Sequence, residues 1–141
     1  MLIKQRSEAE MSNSEQKKVI TTDNAPKAIG PYSVAIKLGS LVFTSGQVGI
    51  NPQTSEIVTG GIEAETRQVL TNVKHVLEAA GTSLGQVVKT TVFLQTMADF
   101  STMNAVYAEY FPDDPPARST IAVAGLPKGA LVEIETIATT E

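Results

Sequence analysis

One stretch of this chain reads as a long amphipathic helix, and almost everything around it reads as strand. Ile62, Thr66, Val69, Leu70, Val73, Val76, Leu77 and Ala80 recur at helical spacing, and Glu63, Arg67, Lys74 and Glu78 fall outside that stripe. Gly60-Gly61 precedes the stripe and Gly81 follows it, where a helix needs a residue tolerant of left-handed backbone. A helix with one apolar stripe must bury it on something, and the neighbouring segments are of the kind that supply a sheet. Val87 to Leu94 is rich in β-branched residues, and Lys18 to Thr21, Tyr32 to Leu38, Leu41 to Ser45, Arg118 to Val123 and Leu131 to Ala138 are short apolar runs bounded by turn residues.

Gly39-Ser40 has the length and chemistry of a two-residue hairpin. Gly46 predicts a bend, with Gln47 to Ile50 extending the strand before it, and Asn51 to Ser55 reads as a loop. Asp99 is the expected N-cap of a second helix running to Tyr110, with Phe100, Met103, Tyr107 and Tyr110 on its buried side. The proline-rich run from Phe111 to Pro116 cannot continue that helix. The order β-β-β-α-β-α-β-β predicts an α+β fold, a mixed sheet with two helices on one face. Residues 1–16 are polar and read as a flexible tail, and residues 17–141 read as a single domain.

Composition narrows the chemistry. The 141 residues contain no Cys and one His, with 42% hydrophobic and 18% charged residues and a net charge of −4. Thiolate nucleophiles and Cys-based metal sites are excluded. The sequence pI of about 5.0, with no basic cluster beyond Lys17-Lys18, gives no footprint for nucleic acid. No apolar run is long enough to span a membrane, and the polar first residues lack the pattern of a signal peptide, so a cytoplasmic protein is expected.

The candidate functional residues lie in the last third of the chain. Arg118 follows Pro115-Pro116-Ala117 at the mouth of a strand, and its planar fork suits a carboxylate. By spacing alone it could equally pair with one of the chain's own acids. Glu133 and Glu135 share a face of the last strand with Leu131 and Ile137, whereas Val132, Ile134 and Thr136 point the other way, under the helices. The face with the glutamates is either a charged, solvated sheet face or a surface that packs on another subunit. Tyr32 and Ser45 read as a core aromatic with its hydroxyl at the rim and a turn hydroxyl. His75, beside the apolar stripe, reads as an exposed helix residue without a role.

Several segments occur in an order that resembles one family. They are Asn24-Ala25-Pro26, Ile29-Gly30-Pro31-Tyr32-Ser33, Thr44-Ser45-Gly46-Gln47, Asn72-Val73, Ala79-Ala80-Gly81, Val88 to Phe93, Asn104, Pro116-Ala117-Arg118-Ser119 and Leu126 to Glu135. Together they resemble the reactive intermediate deaminase family, the Rid or YjgF family, in its RidA branch, from about Val19 to Ala138. The resemblance implies a chorismate-mutase-like fold and homotrimers with clefts between subunits. It implies hydrolysis of 2-enamine and 2-imine acids, such as 2-iminobutanoate and 2-iminopropanoate, to 2-keto acids and ammonia, with no metal or cofactor. By position it implies that Arg118 binds the substrate carboxylate, that Glu133 handles water and protons, and that Tyr32, Ser45, Asn104 and Thr120 line the pocket. Thr120 stands where many members have Cys, Val34 where a Gln is common, and Gly125 where an Arg is common. Two other readings attach to this scaffold, an endoribonuclease or translation inhibitor and a non-catalytic binder of small acids.

Overall fold

The computed structural model describes residues 16–141, so the tail expected over 1–16 lies, Gln16 apart, outside the described residues. The elements are β1 (Lys18–Ile20), β2 (Ala35–Leu38), β3 (Leu41–Thr44), β4 (Gln47–Val48), β5 (Ile50–Asn51), β6 (Glu56–Ile57), α1 (Gly61–Ala79), β7 (Val87–Leu94), α2 (Phe100–Tyr110), β8 (Ala117–Ala122) and β9 (Val132–Thr139). The main sheet runs β1-β2-β3-β9-β7-β8, with β4 also paired to β9, and β5 and β6 form a separate ribbon. Among the described residues only β7 and β8 pair in parallel, and α2 makes the crossover between them. The expected mixed sheet with two helices on one face is what forms.

The apolar stripe of α1 explains where the core sits. Val69, Leu70, Val73, Val76 and Leu77 are fully buried, and they share one core with Val92, Leu94, Val132 and Ile134 of the sheet and Met103 of α2. The strict alternation of β9, buried at Val132, Ile134, Thr136 and Ala138 and half-buried between them, is the period-two signature of a strand with helices on one side only. The C-terminus of α1 closes in a Schellman motif. Gly81, at φ +84°, donates its N–H to the Glu78 carbonyl and Thr82 donates to that of Leu77, both at 3.0 Å. Leu38 and Leu41 pair across Gly39-Ser40, and φ is positive at Gly39 alone, as the hairpin reading requires.

The bend at Gly46 is a true interruption. β3 pairs with Phe43↔Ile137 as its last rung, and β4 resumes on the same strand at Gln47↔Ile134. Side chains patch the gap. The Thr136 N–H donates to Thr44 Oγ1 at 3.0 Å, and the two buried threonine hydroxyls lie 3.0 Å apart.

Three local expectations are corrected. The second strand starts at Ala35 rather than Tyr32, because residues 32–34 are held by other bonds: Tyr32 N–H to the Gly30 carbonyl, and Ser45 N–H and Oγ–H to the carbonyls of Val34 and Ser33. Asp99 precedes α2 but makes no side-chain cap. A short 3₁₀ turn, Met97–Asp99, leads into the helix, and Thr96 caps that turn by accepting the Ala98 N–H. The loop over 51–55 is the turn of the β5–β6 ribbon, whose two-residue strands are too short to show a period. Among the described residues no helix is long and apolar enough to cross a membrane.

Leu77 is 0% exposed at the centre of the core. Leu77→Ala should lower the unfolding free energy by about 2–5 kcal/mol, the usual cost of such a cavity, measured by urea denaturation.

Candidate active site

Arg118 and Glu133 lie on strands consecutive in sequence but not adjacent in space, since β7 runs between β8 and β9. Arg118 is level with Thr90 and Thr136, and Glu133 is level with Phe93 and Ile121. Three residues along the strands and two strands across amount to about 10 Å in each direction. They also point to opposite faces. The Arg118 guanidinium carbon sits 4.7 Å from the ring centre of Tyr107 and 5.7 Å from that of Phe100, both on α2, so this side chain lies on the helix side. Glu133 alternates with core residues of β9 and lies on the uncovered side. One chain therefore does not bring the two residues together.

Each residue has its own surroundings. Phe100, Asn104 and Tyr107 form one stripe of α2 (i, i+4, i+7), and Thr120 is two residues beyond Arg118 on the same face of β8. The Tyr107 hydroxyl is 2.8 Å from Thr90 Oγ1, and burial raises its pKa against the opposing pull of that bond and of the Arg118 charge. Among the described residues Asn104 Oδ1 and Thr120 Oγ1 are buried without a hydrogen-bond partner, which native structures seldom tolerate unless something else completes the site. Among the described residues Arg118 has no ion pair, so the reading of a salt bridge to the chain's own acids finds no support there.

Glu133 opens into a cleft of about 370 Å³ that Tyr32, Ser45, Gly46, Gln47 and Glu135 also line. Tyr32 is 46% exposed, not a core aromatic, and its hydroxyl accepts the Ile29 N–H at 3.2 Å. The Glu133 carboxyl packs directly on Gly46: a Cβ there would lie 2.5 Å from Oε1 and 2.8 Å from Cδ. Any side chain there would push the carboxyl out of this position. Burial, and secondarily the neighbouring charge of Glu135, push the Glu133 pKa above the ordinary carboxylate value. Thus Tyr32, Ser45 and Glu133 form one group, and Arg118, Thr120 and Asn104 form another.

Sequence reasoning missed three residues that shape the Glu133 side. Glu65 and Asn72 of α1 are buried, Asn72 bonded to Val48 and Ile50 of the cleft and Glu65 to Leu131, two residues before Glu133, and the Nδ1 of His75 lies 2.8 Å from the Asn24 carbonyl oxygen. The signal for the first two was slight: polar residues seven apart, flanking the apolar stripe. Among the described residues no three acidic or histidine side chains converge as metal ligands.

The family model described as endoribonuclease L-PSP matches residues 22–140. A RutC family protein of Pyrococcus horikoshii is 58% identical over 86% of this chain and 97% of its own. The 2-iminobutanoate/2-iminopropanoate deaminase of Mus musculus is 48% identical over 86% of this chain and 90% of its own. The chain belongs to the Rid/YjgF family. Among solved Rid/YjgF-like structures, E. coli TdcF with bound serine superposes with a TM-score of 0.85 at 46% identity, covering 88% of this chain and 99% of that one.

In this Rid/YjgF chain the like charge at Glu135 is one cause of the raised Glu133 pKa. Glu135→Gln should lower the Glu133 midpoint, because removing a like charge eases ionisation, and a ¹³C-NMR titration of the glutamate carboxyls measures it.

Proposed function

We propose that this chain is an imine deaminase that hydrolyses 2-iminobutanoate, 2-iminopropanoate and their enamine tautomers to 2-keto acids and ammonia. The observation that carries the proposal is a carboxyl with a raised pKa, Glu133, set in a cleft with Tyr32 and Ser45, in a chain 48% identical to a protein named for that reaction. An iminium carbon is already electrophilic, so the protein has to hold the substrate, place a water and move protons.

Arg118 binds the substrate carboxylate through its fork, the Thr120 hydroxyl donates a further hydrogen bond to it, and Asn104 Oδ1, an acceptor, takes a hydrogen bond from an N–H or water that enters with the substrate. Glu133 takes a proton from water as its oxygen bonds to the imine carbon, giving a carbinolamine. The same carboxyl then returns the proton to nitrogen. The carbon–nitrogen bond breaks, ammonia leaves, and loss of the hydroxyl proton leaves the keto group. A carboxyl pKa shifted upward suits a group that must both accept and donate near neutrality.

Arg118 and Glu133 cannot reach one small acid within a chain, so the site is shared between copies in a homotrimer, each cleft taking the Arg118 side of one subunit and the Glu133 side of the next. The uncovered sheet face supports such packing. Val19, Ile36, Phe43 and Ile137 form one apolar row across four strands, and Val19 and Phe43 are 58% and 38% exposed. A cytoplasmic location goes with this reading.

The family model's description favours a second reading, an endoribonuclease. The net charge of −4 weighs against it, as does the engagement of the single histidine with a backbone carbonyl.

The assay generates 2-iminobutanoate with a threonine dehydratase and follows its decay. Acceleration is expected from the wild type, and Arg118→Ala and Glu133→Gln should each reduce it by at least about 100-fold. Co-refolding the two inactive variants at equal amounts should restore about one quarter of the wild-type activity, since each shared cleft needs an intact Arg118 and an intact Glu133 from neighbouring copies. No recovery from a well-formed trimer rejects the shared site. RNA cleavage without imine decay supports the endoribonuclease.

A further inference from the structure

Beside its apolar stripe α1 carries a polar one, Glu65, Gln68, Asn72 and His75, at i, i+3, i+7 and i+10. Its long-range bonds end on Val48 and Ile50, which line the Glu133 cleft, or on Leu131 and Asn24, each two residues before a lining residue. Glu65 Oε1 accepts the Leu131 N–H at 2.9 Å, and the Leu131 carbonyl accepts the Gln95 N–H at 3.0 Å, so the residue two before Glu133 is held at both ends. Asn72 Nδ2 donates to the carbonyls of Val48 and Ile50 at 3.2 and 2.9 Å, and its Oδ1 accepts from Gln68 Nε2 at 2.8 Å. His75 meets the Asn24 carbonyl in the loop that runs on to Lys27 and Tyr32. The chain between β4 and β5 passes hard against the helix, where a Cβ on Gly49 would lie 3.0 Å from the Glu65 carbonyl oxygen.

We infer that Glu65 and Asn72 are positioning residues for the Glu133 carboxyl, fixing from behind the two strands that frame it. Neither lines the cleft. Glu65 acts through Leu131 and so sets where β9 enters the sheet. Asn72 acts through Val48 and Ile50 and so sets β4, whose Val48 is directly opposite Glu133. Glu65 is 5% exposed and Asn72 0%. Burying a carboxylate there costs stability that an apolar residue would not, and its pKa is raised by that burial, against the Leu131 bond and with help from the Asp99 charge. The acceptor is what an apolar residue would lack.

The inference rests on the proposed role of Glu133 and has two readouts, only one of which needs activity. Turnover of 2-iminobutanoate is measured for Glu65→Ala, Glu65→Gln and Asn72→Ala in the full chain. The Glu133 carboxyl is titrated by ¹³C NMR, assigned by its loss in Glu133→Gln. The groups facing Glu133 that could also move its midpoint are Glu135 on β9 and Lys27 and Tyr32 from the loop before β2, all unaltered in these variants. In the proposed trimer a neighbour's Arg118 joins them. Glu65→Ala and Asn72→Ala should each lower kcat by about tenfold or more, with KM changed by less than about threefold, as a small displacement of a reacting group does. The Glu133 midpoint should shift as well. Glu65→Gln keeps an acceptor for Leu131 and should hold kcat within about threefold of wild type. A folded Glu65→Ala with unchanged kcat and unchanged Glu133 midpoint overturns the inference, as does equal loss in the alanine and glutamine variants. If Glu65→Ala does not fold, Gly49→Ala presses the chain between Val48 and Ile50 against the backbone of α1 at Glu65 and so displaces the strand opposite Glu133. It should give a partial loss of kcat, and no loss overturns the inference. Wild-type protein inactive on imines defeats the deaminase reading alone, and the Glu133 midpoint then decides the positioning role.

Discussion

Burial of Val132, Ile134, Thr136 and Ala138 under the helices fixes β9, and the two-residue period of a strand then sends Glu133 and Glu135 to the other face. The rest of the site follows from that constraint. β9 is flanked on one side by both β3 and β4 and on the other by β7. The break between β3 and β4 falls where Glu133 needs room. Thr44 and Thr136 restore the hydrogen bond lost at the break, and Gly46 leaves the carboxyl its space. The same stretch of chain thus satisfies the backbone on the core side and opens a cleft on the other.

Much of this was legible in the sequence where periodicity speaks. The apolar stripe of α1, the glycine that ends it, the hairpin at Gly39-Ser40, the full extent of β7 and the two faces of β9 follow from local pattern. What stayed hidden depends on partners distant in sequence. Nothing local shows that β7 inserts between β8 and β9, and without that register the relative facing of Arg118 and Glu133 cannot be known. The early residues of the second expected strand look extended, yet Ser45 holds them out of the ladder. Asp99 has the right residue type for a cap, but the chain enters α2 through a turn that Thr96 caps instead. Glu65 and Asn72 sit where a helix meets water in most amphipathic patterns, and here they meet backbone that arrives from 66 and 22 residues away.

The separation of Arg118 from Glu133 has an electrostatic consequence. An arginine within about 4–6 Å of a carboxylate lowers its pKa by about 1–3 units, and the two would neutralise each other before any substrate arrived. Within this chain the arginine instead rests on the faces of Tyr107 and Phe100, an arrangement worth about 0.5–2 kcal/mol that leaves the edge of its fork to an incoming carboxylate. Burial and the like charge of Glu135 both favour the protonated form of Glu133. In the proposed trimer a substrate acid enters between the two sides, so its own carboxylate meets Arg118 while its imine carbon faces Glu133. The substrate then stands between the arginine and the carboxyl, and the proton that Glu133 takes from water is held beside the nitrogen that departs.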